Sequence, residues 1–100
     1  MDYYIYILYS KVADKYYVGY SSNPQKRLKE HNSYENKSKF TAKYQPWNLK
    51  AHFLVSQTIG EAMRVERFIK QQKSRHFLER LISEHHNAEF INDLIKKVIG

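Results

Sequence analysis

Two short tyrosine-bearing triplets, Tyr4-Ile5-Tyr6 and Tyr17-Val18-Gly19, belong to a set of residues whose types could support cleavage of a phosphodiester bond. Arg27 and His31 follow four residues apart, so they share one face of any helix that contains them. A guanidinium is well shaped to clamp a phosphate and to stabilise charge that develops on its oxygens. Such a site also needs a carboxylate to hold a divalent metal ion, and Glu66 offers one.

Glu66 is the strongest single anomaly in the chain. On a helix that starts at Ile59, the apolar arc consists of Ile59, Ala62, Met63 and Ile69, and Glu66 falls in the middle of it. Burying a carboxylate there is costly unless it is paired, hydrogen-bonded or bound to a cation. One interpretation is a structural ion pair with a lysine or arginine. The neighbouring candidates favour the other interpretation, a metal ligand.

Tyr6 and Tyr17 are predicted on two adjacent strands, from which both side chains could reach the face of Arg27 and His31. A phenol has an ordinary pKa near 10 and is a poor base at neutral pH. A nearby guanidinium and a divalent metal would each favour phenolate and lower that pKa. Packing alone also explains each tyrosine. Gly19 inside a strand predicts a close backbone approach or a bulge.

The composition favours a small basic domain with a polyanionic partner. One hundred residues with 42% apolar content suit one domain over residues 1–100, with a core at about 3–82 and a last helix at about 88–99. A net charge of +7 favours nucleic acid, with simple solubility as the alternative. An anionic membrane surface is disfavoured because no helix carries a dense lysine face opposite a bulky apolar one.

The location is predicted from what the sequence lacks. Cysteine is absent, which excludes disulfides and thiolate metal sites and fits a reducing cytoplasm. The first residues, Met1-Asp2-Tyr3-Tyr4, lack the basic and apolar regions of a signal peptide. No apolar run approaches the roughly 20 residues that span a bilayer. We therefore expect a soluble cytoplasmic protein with no membrane partner.

The first half of the chain predicts a hairpin, a helix and a loop. Residues 3–10 and 15–21 are rich in β-branched and aromatic residues, and the residues between them can turn the chain. Both runs are apolar on both faces, which predicts a sheet covered on two sides. Asn23-Pro24 predicts a helix start, with the helix running to about residue 32 or 34. The polar segment 33–46 is predicted to be a loop, either a solvated connection or a lysine-bearing arm for phosphates.

The second half predicts one strand and three helices. Residues 49–56 suit a strand, and Thr58 with Glu61 forms a capping box for a helix to about residue 72. Ser74 and Asn87 can cap two further helices, each with apolar residues at helical spacing. The fold class is therefore α+β, with a three-stranded antiparallel sheet flanked by helices in the order β-β-α-β-α-α-α. The last apolar stripe, Phe90 to Val98, either closes the core or forms a dimer face.

In this order, the two triplets, Arg27, His31 and Glu66 resemble the GIY-YIG nuclease family. More narrowly, the chain looks like small single-domain bacterial members related to the catalytic domain of the repair nuclease subunit UvrC. The resemblance covers roughly residues 3–82. Tyr4 replaces the first glycine, Val18 replaces an isoleucine, and Tyr20 stands where many relatives place a lysine.

The resemblance implies a metal-dependent endonuclease that hydrolyses double-stranded or branched DNA. Glu66 would hold one Mg²⁺ or Mn²⁺ ion and Tyr17 would be the general base. Arg27 would stabilise the transition state, while Tyr6 and His31 would position water or relay a proton. The basic residues expected to bind nucleic acid are Lys26, Lys37, Lys39, Lys43, Lys70, Lys73 and Arg75.

Two alternatives stay open at this point. One is a non-catalytic nucleic-acid-binding module on the same fold, which would use its basic face for phosphates alone. The other is a small interaction domain in which Glu66 only forms a salt bridge. Specificity in a domain this small could also depend on a homodimer or on a protein partner.

Overall fold

The computed structural model describes residues 1–33, 35 and 39–100, apart from the side chain of Lys39. Two of the predicted phosphate-binding residues, Lys37 and the side chain of Lys39, therefore lie outside the described residues. The elements of the described part are β1 (Tyr3–Ser10), β2 (Lys15–Ser21), α1 (Pro24–His31), α2 (Lys39–Lys43), β3 (Asn48–Ser56), α3 (Ile59–Gln71), α4 (Arg75–Glu84) and α5 (Ala88–Ile99).

The three strands form an antiparallel sheet in the order β2-β1-β3, so β1 is central and β2 is an edge strand. The predicted α+β class and antiparallel sheet are confirmed. In the pairing of β1 with β2, Tyr6 lies opposite Gly19 and Leu8 lies opposite Tyr17. Directly opposed residues share a face of the sheet, and alternate residues along a strand do so too. Tyr6 and Tyr17 therefore point to the same side.

Apolar clusters cover both faces of this sheet, as the two-sided strand pattern predicts. On one face, Ile5 and Ile7 of β1 pack with Ala62, Val65 and Ile69 of α3. The opposite face carries a smaller cluster built from Tyr6, Leu8 and Trp47, with partly buried neighbours Tyr17, Leu28, Tyr44 and Leu49. Since Leu28 lies on α1, the helices α1 and α3 pack on opposite faces of one sheet.

The predicted helix starts are confirmed by side-chain caps. Asn23 accepts a hydrogen bond from the backbone N–H of Lys26, and Pro24 occupies the first turn. Thr58, Ser74 and Asn87 cap α3, α4 and α5 in the same way. These bonds satisfy backbone donors that the first turn of a helix leaves without an internal partner.

One element was missed, because the segment 33–46 contains the short helix α2 rather than only a loop. Its stability comes from contacts outside its own sequence. Trp47 is almost fully buried, and its indole N–H donates to the carbonyl of Thr41 over 2.7 Å. Phe40 stacks on Trp47 with ring centroids 6.0 Å apart. The sequence pattern of the segment 33–46 does not predict α2, because the apolar residue that anchors it, Trp47, lies outside that segment.

The predicted apolar arc of α3 was wrong in its composition. Ile59 and Met63 are exposed at 50% and 40%, whereas the buried face is formed by Ala62, Val65 and Ile69. Glu66 follows Val65, so at 100° per residue it lies at the edge of the buried face and not in its middle. Its side chain keeps 20% of its surface exposed. The carboxylate is therefore placed at a boundary between core and solvent.

The two C-terminal helices close the larger core. Leu81 of α4 is fully buried, and Ile91 and Leu94 of α5 are buried against the same cluster. Phe90, Ile95 and Val98 pack beside them, so the last apolar stripe is used inside the fold. This packing removes the observation on which a dimer face was predicted. Among the described residues, no helix is both long and apolar enough to cross a membrane.

Candidate active site

A cavity of about 390 Å³ opens at the β2 edge of the sheet. It receives side chains from both faces, because α1 contributes Arg27 and α3 contributes Glu66 around the same edge strand. Four of the five residues predicted to act in catalysis are brought together here. The lining consists of Tyr6, Tyr17, Gly19, Tyr20, Ser21, Arg27 and Glu66.

Tyr6 is buried at the floor of this cavity. Its hydroxyl lies 3.1 Å from Nε2 of His31. Burial raises the pKa of Tyr6 to about 12, and the hydrogen bond with the Arg27 guanidinium only partly offsets that rise. The phenol is therefore neutral at physiological pH, contrary to the sequence argument that the arginine would favour phenolate. A neutral Tyr6 is a donor and not a base.

His31 lies behind Tyr6 and does not line the cavity. Only 5% of its surface is exposed, and burial, reinforced by the charge of Arg27, lowers the pKa of its imidazole. A neutral imidazole has one acceptor nitrogen, so Nε2 can accept the hydrogen bond from the Tyr6 hydroxyl. Its ring centroid also lies 4.8 Å from that of Tyr17. The geometry makes His31 a residue that positions both tyrosines.

Gly19 provides the space that Tyr6 occupies. A Cβ added at Gly19 would stand 2.4 Å from the hydroxyl oxygen of Tyr6 and 2.5 Å from the adjoining ring carbon. Both contacts are far shorter than normal van der Waals separation. The predicted close backbone approach is confirmed, and it is the Tyr6 ring that approaches. Only glycine at this position lets the two strands pair with Tyr6 folded over β2.

Arg27 is held from two sides and still has bonding capacity. Its Nη1 donates to Oε1 of Glu30 over 2.9 Å. The hydrogen bond with Tyr6 raises the pKa of the guanidinium, which keeps the charge in place. Within the described part of the chain, its Nε is buried without a hydrogen-bond partner. A buried donor without a partner is costly, and an anionic oxygen would satisfy it.

Glu66 contributes the carboxylate of the cavity. Its Oε1 lies 3.2 Å from Nζ of Lys70, one turn later on α3. The structural ion pair predicted as an alternative is therefore present. Among the described residues, no group of three or more His, Cys, Asp or Glu side chains is arranged to hold a metal ion. A single carboxylate does suit Mg²⁺, which keeps several waters and takes substrate phosphate oxygens as ligands.

Tyr17 forms the wall between this cavity and a second, larger groove of about 590 Å³. It is half-buried, and its ring lies near those of Phe40 and Trp47, with centroids 6.1 and 6.2 Å away. Lys70 lines the groove and holds its Nζ 5.7 Å from the Tyr17 ring. Tyr17 is thus the one predicted catalytic residue that reaches both openings.

The predicted phosphate-binding residues separate into two groups. Lys70, Lys73 and Arg75 line the larger groove together. Arg75 is the least available, because it pairs with Asp14 and lies 3.5 Å from Glu79. The exposed Lys26 of α1 and Lys43 of α2 line neither cavity. Lys43 instead places its Nζ 5.5 Å from the ring of Tyr44.

Several lining residues escaped the sequence analysis. Ser21 lies on the same face as Tyr17 and Gly19, so strand alternation contains the information needed to find it. Lys15 and Phe40 line the larger groove. Lys15 begins β2 beside the tyrosines, and Phe40 is the one phenylalanine of the polar segment 33–46. Strand alternation also puts Lys15 on the face of Tyr17, whereas Phe40 has no periodic pattern that would single it out.

Comparison with protein families identifies this arrangement. The model of the GIY-YIG catalytic domain matches residues 2–80, which include every residue of the cavity. The chain belongs to the GIY-YIG family. The matched range includes β1, β2, α1 and α3, the two strands and two helices whose side chains line the cavity.

The GIY-YIG chain is also similar to a solved structure. It is 32% identical to a UPF0213 protein from Bacillus halodurans whose structure was determined by solution NMR. The match covers 93% of this chain and 94% of that one, with a TM-score of 0.51. Comparison with curated proteins gives no match. The family and the fold are therefore shown by two independent comparisons.

Proposed function

We propose that this GIY-YIG protein is a metal-dependent endonuclease that hydrolyses DNA phosphodiester bonds at the cavity beside β2. The observation that carries the proposal is that Tyr6, Tyr17, Arg27 and Glu66 come from four elements and line one cavity. A tyrosine, a guanidinium and a carboxylate can serve as a general base, an anion clamp and a metal ligand. The family match over residues 2–80 supports the same chemistry.

Each residue has a distinct role in the proposed reaction. Arg27 binds a non-bridging phosphate oxygen through the guanidinium that lines the cavity, and it stabilises the charge that grows on the phosphate oxygens. Tyr17 is the general base: its deprotonated oxygen takes a proton from the attacking water, while the bond from phosphorus to the leaving 3′ oxygen breaks. Tyr6 stays neutral and donates its hydroxyl hydrogen to His31, so its oxygen orients the attacking water by accepting a hydrogen bond from it. His31 holds the Tyr6 hydroxyl from behind.

Glu66 would hold the one divalent cation of the site, Mg²⁺ or Mn²⁺. The cation would polarise the scissile phosphate and stabilise the leaving 3′ oxygen. The fit rests on the donor set, since one partly exposed carboxylate beside an arginine leaves room for waters and phosphate oxygens. Because Lys70 pairs with Glu66, a cation must compete with its ammonium group for the carboxylate.

Cleavage of supercoiled plasmid and of branched DNA with Mg²⁺ or Mn²⁺ tests the proposal. Wild type is expected to cut, whereas Glu66→Gln and Tyr17→Phe should each lose at least about 100-fold in rate. Glu89→Gln, an exposed carboxylate on α5, serves as the matched control and should cut normally. A wild type that never cuts over a broad panel of metals and substrates refutes the enzyme, and variants that cut equally well refute the site.

The ion pair between Glu66 and Lys70 favours one alternative, a nucleic-acid-binding module without catalysis. In that case the carboxylate would only orient Lys70 toward a phosphate. Salt-dependent DNA binding without cleavage would support this alternative. It also predicts that Glu66→Gln leaves the affinity for DNA within about twofold.

A cytoplasmic location stays a prediction of the cysteine-free composition.

A further inference from the structure

The larger groove beside the cavity combines an exposed aromatic ring with unpaired positive charge. We propose that it binds an unpaired nucleotide of the substrate strand, with the base stacked on Phe40 and the backbone phosphates held by Lys15 and Lys73. This inference rests on the proposed function, because it assumes a nucleic-acid substrate. We name the site the stacking groove and define it by Lys15, Tyr17, Phe40, Lys70 and Lys73.

Phe40 provides the stacking surface. The ring packs in parallel on Trp47, with an interplanar angle of 28°, and stands against the edge of Tyr44. These contacts fix its orientation, yet 44% of the residue is exposed. An aromatic ring that is held rigidly and remains open costs little entropy when a base stacks on it. Core packing alone does not require the ring to line an open groove.

The charges of the groove select an anionic occupant. Within the described residues, neither Lys15 nor Lys73 forms an ion pair, and both line the groove. Lys15 lies over the ring of Tyr44, with its Nζ 5.5 Å from the centroid, so its stem is anchored near Phe40. Asp14 is the acidic member of the lining, and Arg75 neutralises it. The net field of the groove is therefore positive.

The position of the groove relates it to the proposed catalysis. Tyr17 lines both the stacking groove and the cavity that holds Arg27 and Glu66. A strand that crosses Tyr17 therefore places one nucleotide in the groove and an adjoining phosphate in the cavity. The volume of about 590 Å³ is in the range of small-ligand sites and accommodates one nucleotide.

Stacking in this groove distinguishes unpaired from paired bases. A base inside a duplex is already stacked on its neighbours and paired, so it cannot reach an aromatic ring set in a concave groove. A splayed base of a single strand, flap or bubble can do so. Duplex DNA would contact only the lysines at the rim. The groove thus predicts a preference for substrates that contain unpaired nucleotides.

Fluorescence anisotropy in EDTA tests the inference separately from catalysis. The probes are a labelled single-stranded oligonucleotide and its matched duplex. Wild type should bind the single strand at least about fivefold more tightly. Phe40→Ala should weaken single-strand binding about tenfold and duplex binding less than twofold. Phe40→Leu, which keeps apolar contact with Trp47 but removes the ring, should give the same selective loss.

Leu54→Ala is the control, because Leu54 on β3 is exposed at 47% and lies outside the groove. It should leave both affinities unchanged. Equal losses on both probes, or no loss in either Phe40 variant, overturn the stacking groove. Equal binding of single strand and duplex by wild type overturns it as well, while cleavage that depends on Glu66 would leave the proposed function standing. Binding of neither probe overturns the stacking groove, and the cleavage assay with Mg²⁺ or Mn²⁺ then decides the proposed function separately.

Discussion

The ring of Tyr6 lies over Gly19, so close that a Cβ at Gly19 would stand 2.4 Å from the Tyr6 hydroxyl oxygen. The two residues are directly opposed across β1 and β2. The glycine therefore does not merely loosen a strand. It sets the depth at which the phenol enters the cavity, and with it the hydrogen bond from Tyr6 to His31.

Gly19→Ala is expected to displace Tyr6 and to lower both stability and activity. Overpacking a core contact costs about 1–3 kcal/mol of unfolding free energy, and urea denaturation measures it. Gly60→Ala is the matched control, since nothing lies within 4 Å of a Cβ there. As Gly60 is in the first turn of α3, that change should be neutral or slightly stabilising. Equal stability of Gly19→Ala and wild type would contradict the assigned contact.

Acid conditions are expected to destabilise the protein through His31. Burial, together with Arg27, lowers the pKa of His31 in the fold, so below about pH 6.5 the unfolded chain binds the proton more readily. Stability should then fall as the pH decreases through that value, and it should level off below the lowered pKa. Urea denaturation between pH 4 and 8 measures the slope.

The contribution of His31 is isolated by a pair of variants. His31→Gln should flatten the acid slope, because glutamine does not titrate in this range. His76→Gln should leave the slope unchanged, since His76 is an exposed histidine on α4. If both variants keep the slope of wild type, the acid sensitivity comes from other groups.

Lys70→Met is expected to strengthen divalent metal binding. The substitution removes the ammonium group that lies 3.2 Å from Oε1 of Glu66, and it keeps an apolar stem near Tyr17. Calorimetric titration with Mn²⁺ should show an affinity several-fold above that of wild type. Glu66→Gln should abolish the binding, while Lys96→Met on α5 should match wild type. An unchanged affinity in Lys70→Met would show that the ion pair does not compete with the metal.

Lys73→Gly is expected to stabilise the fold and to weaken nucleic-acid binding. Lys73 follows α3 with a φ of 48°, a left-handed conformation that costs a residue with a Cβ about 1 kcal/mol. Glycine removes that cost, so the unfolding free energy should rise by up to about 1 kcal/mol. The same change removes a lysine from the stacking groove.

Lys73→Gln separates the two effects. It keeps the Cβ and loses the charge, so binding should fall without any gain in stability. Urea denaturation and fluorescence anisotropy measure the two quantities on the same samples. If Lys73→Gln stabilises the fold, or if Lys73→Gly does not, the left-handed conformation of Lys73 is not the source of the expected strain.

The sequence predicts what is local and periodic in this fold. The caps at Asn23, Thr58, Ser74 and Asn87 depend on a few neighbouring residues, and all four are confirmed. The two-sided strand pattern likewise predicts the clusters on both faces. The helix α2 was missed because Trp47, which anchors it, belongs to the next segment.

The protonation, burial and ion pairing of the site residues depend on contacts that the spacing of residues in the sequence does not predict. The guanidinium of Arg27 was expected to favour phenolate at Tyr6, but burial is the larger effect and raises the pKa instead. Glu66 was expected in the middle of an apolar arc, but two members of that arc, Ile59 and Met63, are exposed. Glu66 therefore lies at the edge of the buried face. Arg75 was expected to bind phosphates, but Asp14 and Glu79 already pair with it. In each case the property of the side chain depends on how deeply it is buried and on which residues from other parts of the chain lie next to it.

The helices α1 and α3 pack against β2 from opposite faces of the sheet. Arg27 and Glu66 therefore line one cavity only after both helices, which are far apart in the sequence, have packed on the sheet. A nascent chain that ends before α3 has the arginine and both tyrosines but lacks the carboxylate. Competence to cut nucleic acid would therefore arise late, when the edge strand is covered from both sides. If the protein has the proposed function, a fragment that ends before Ile59 should not cleave, because it lacks Glu66.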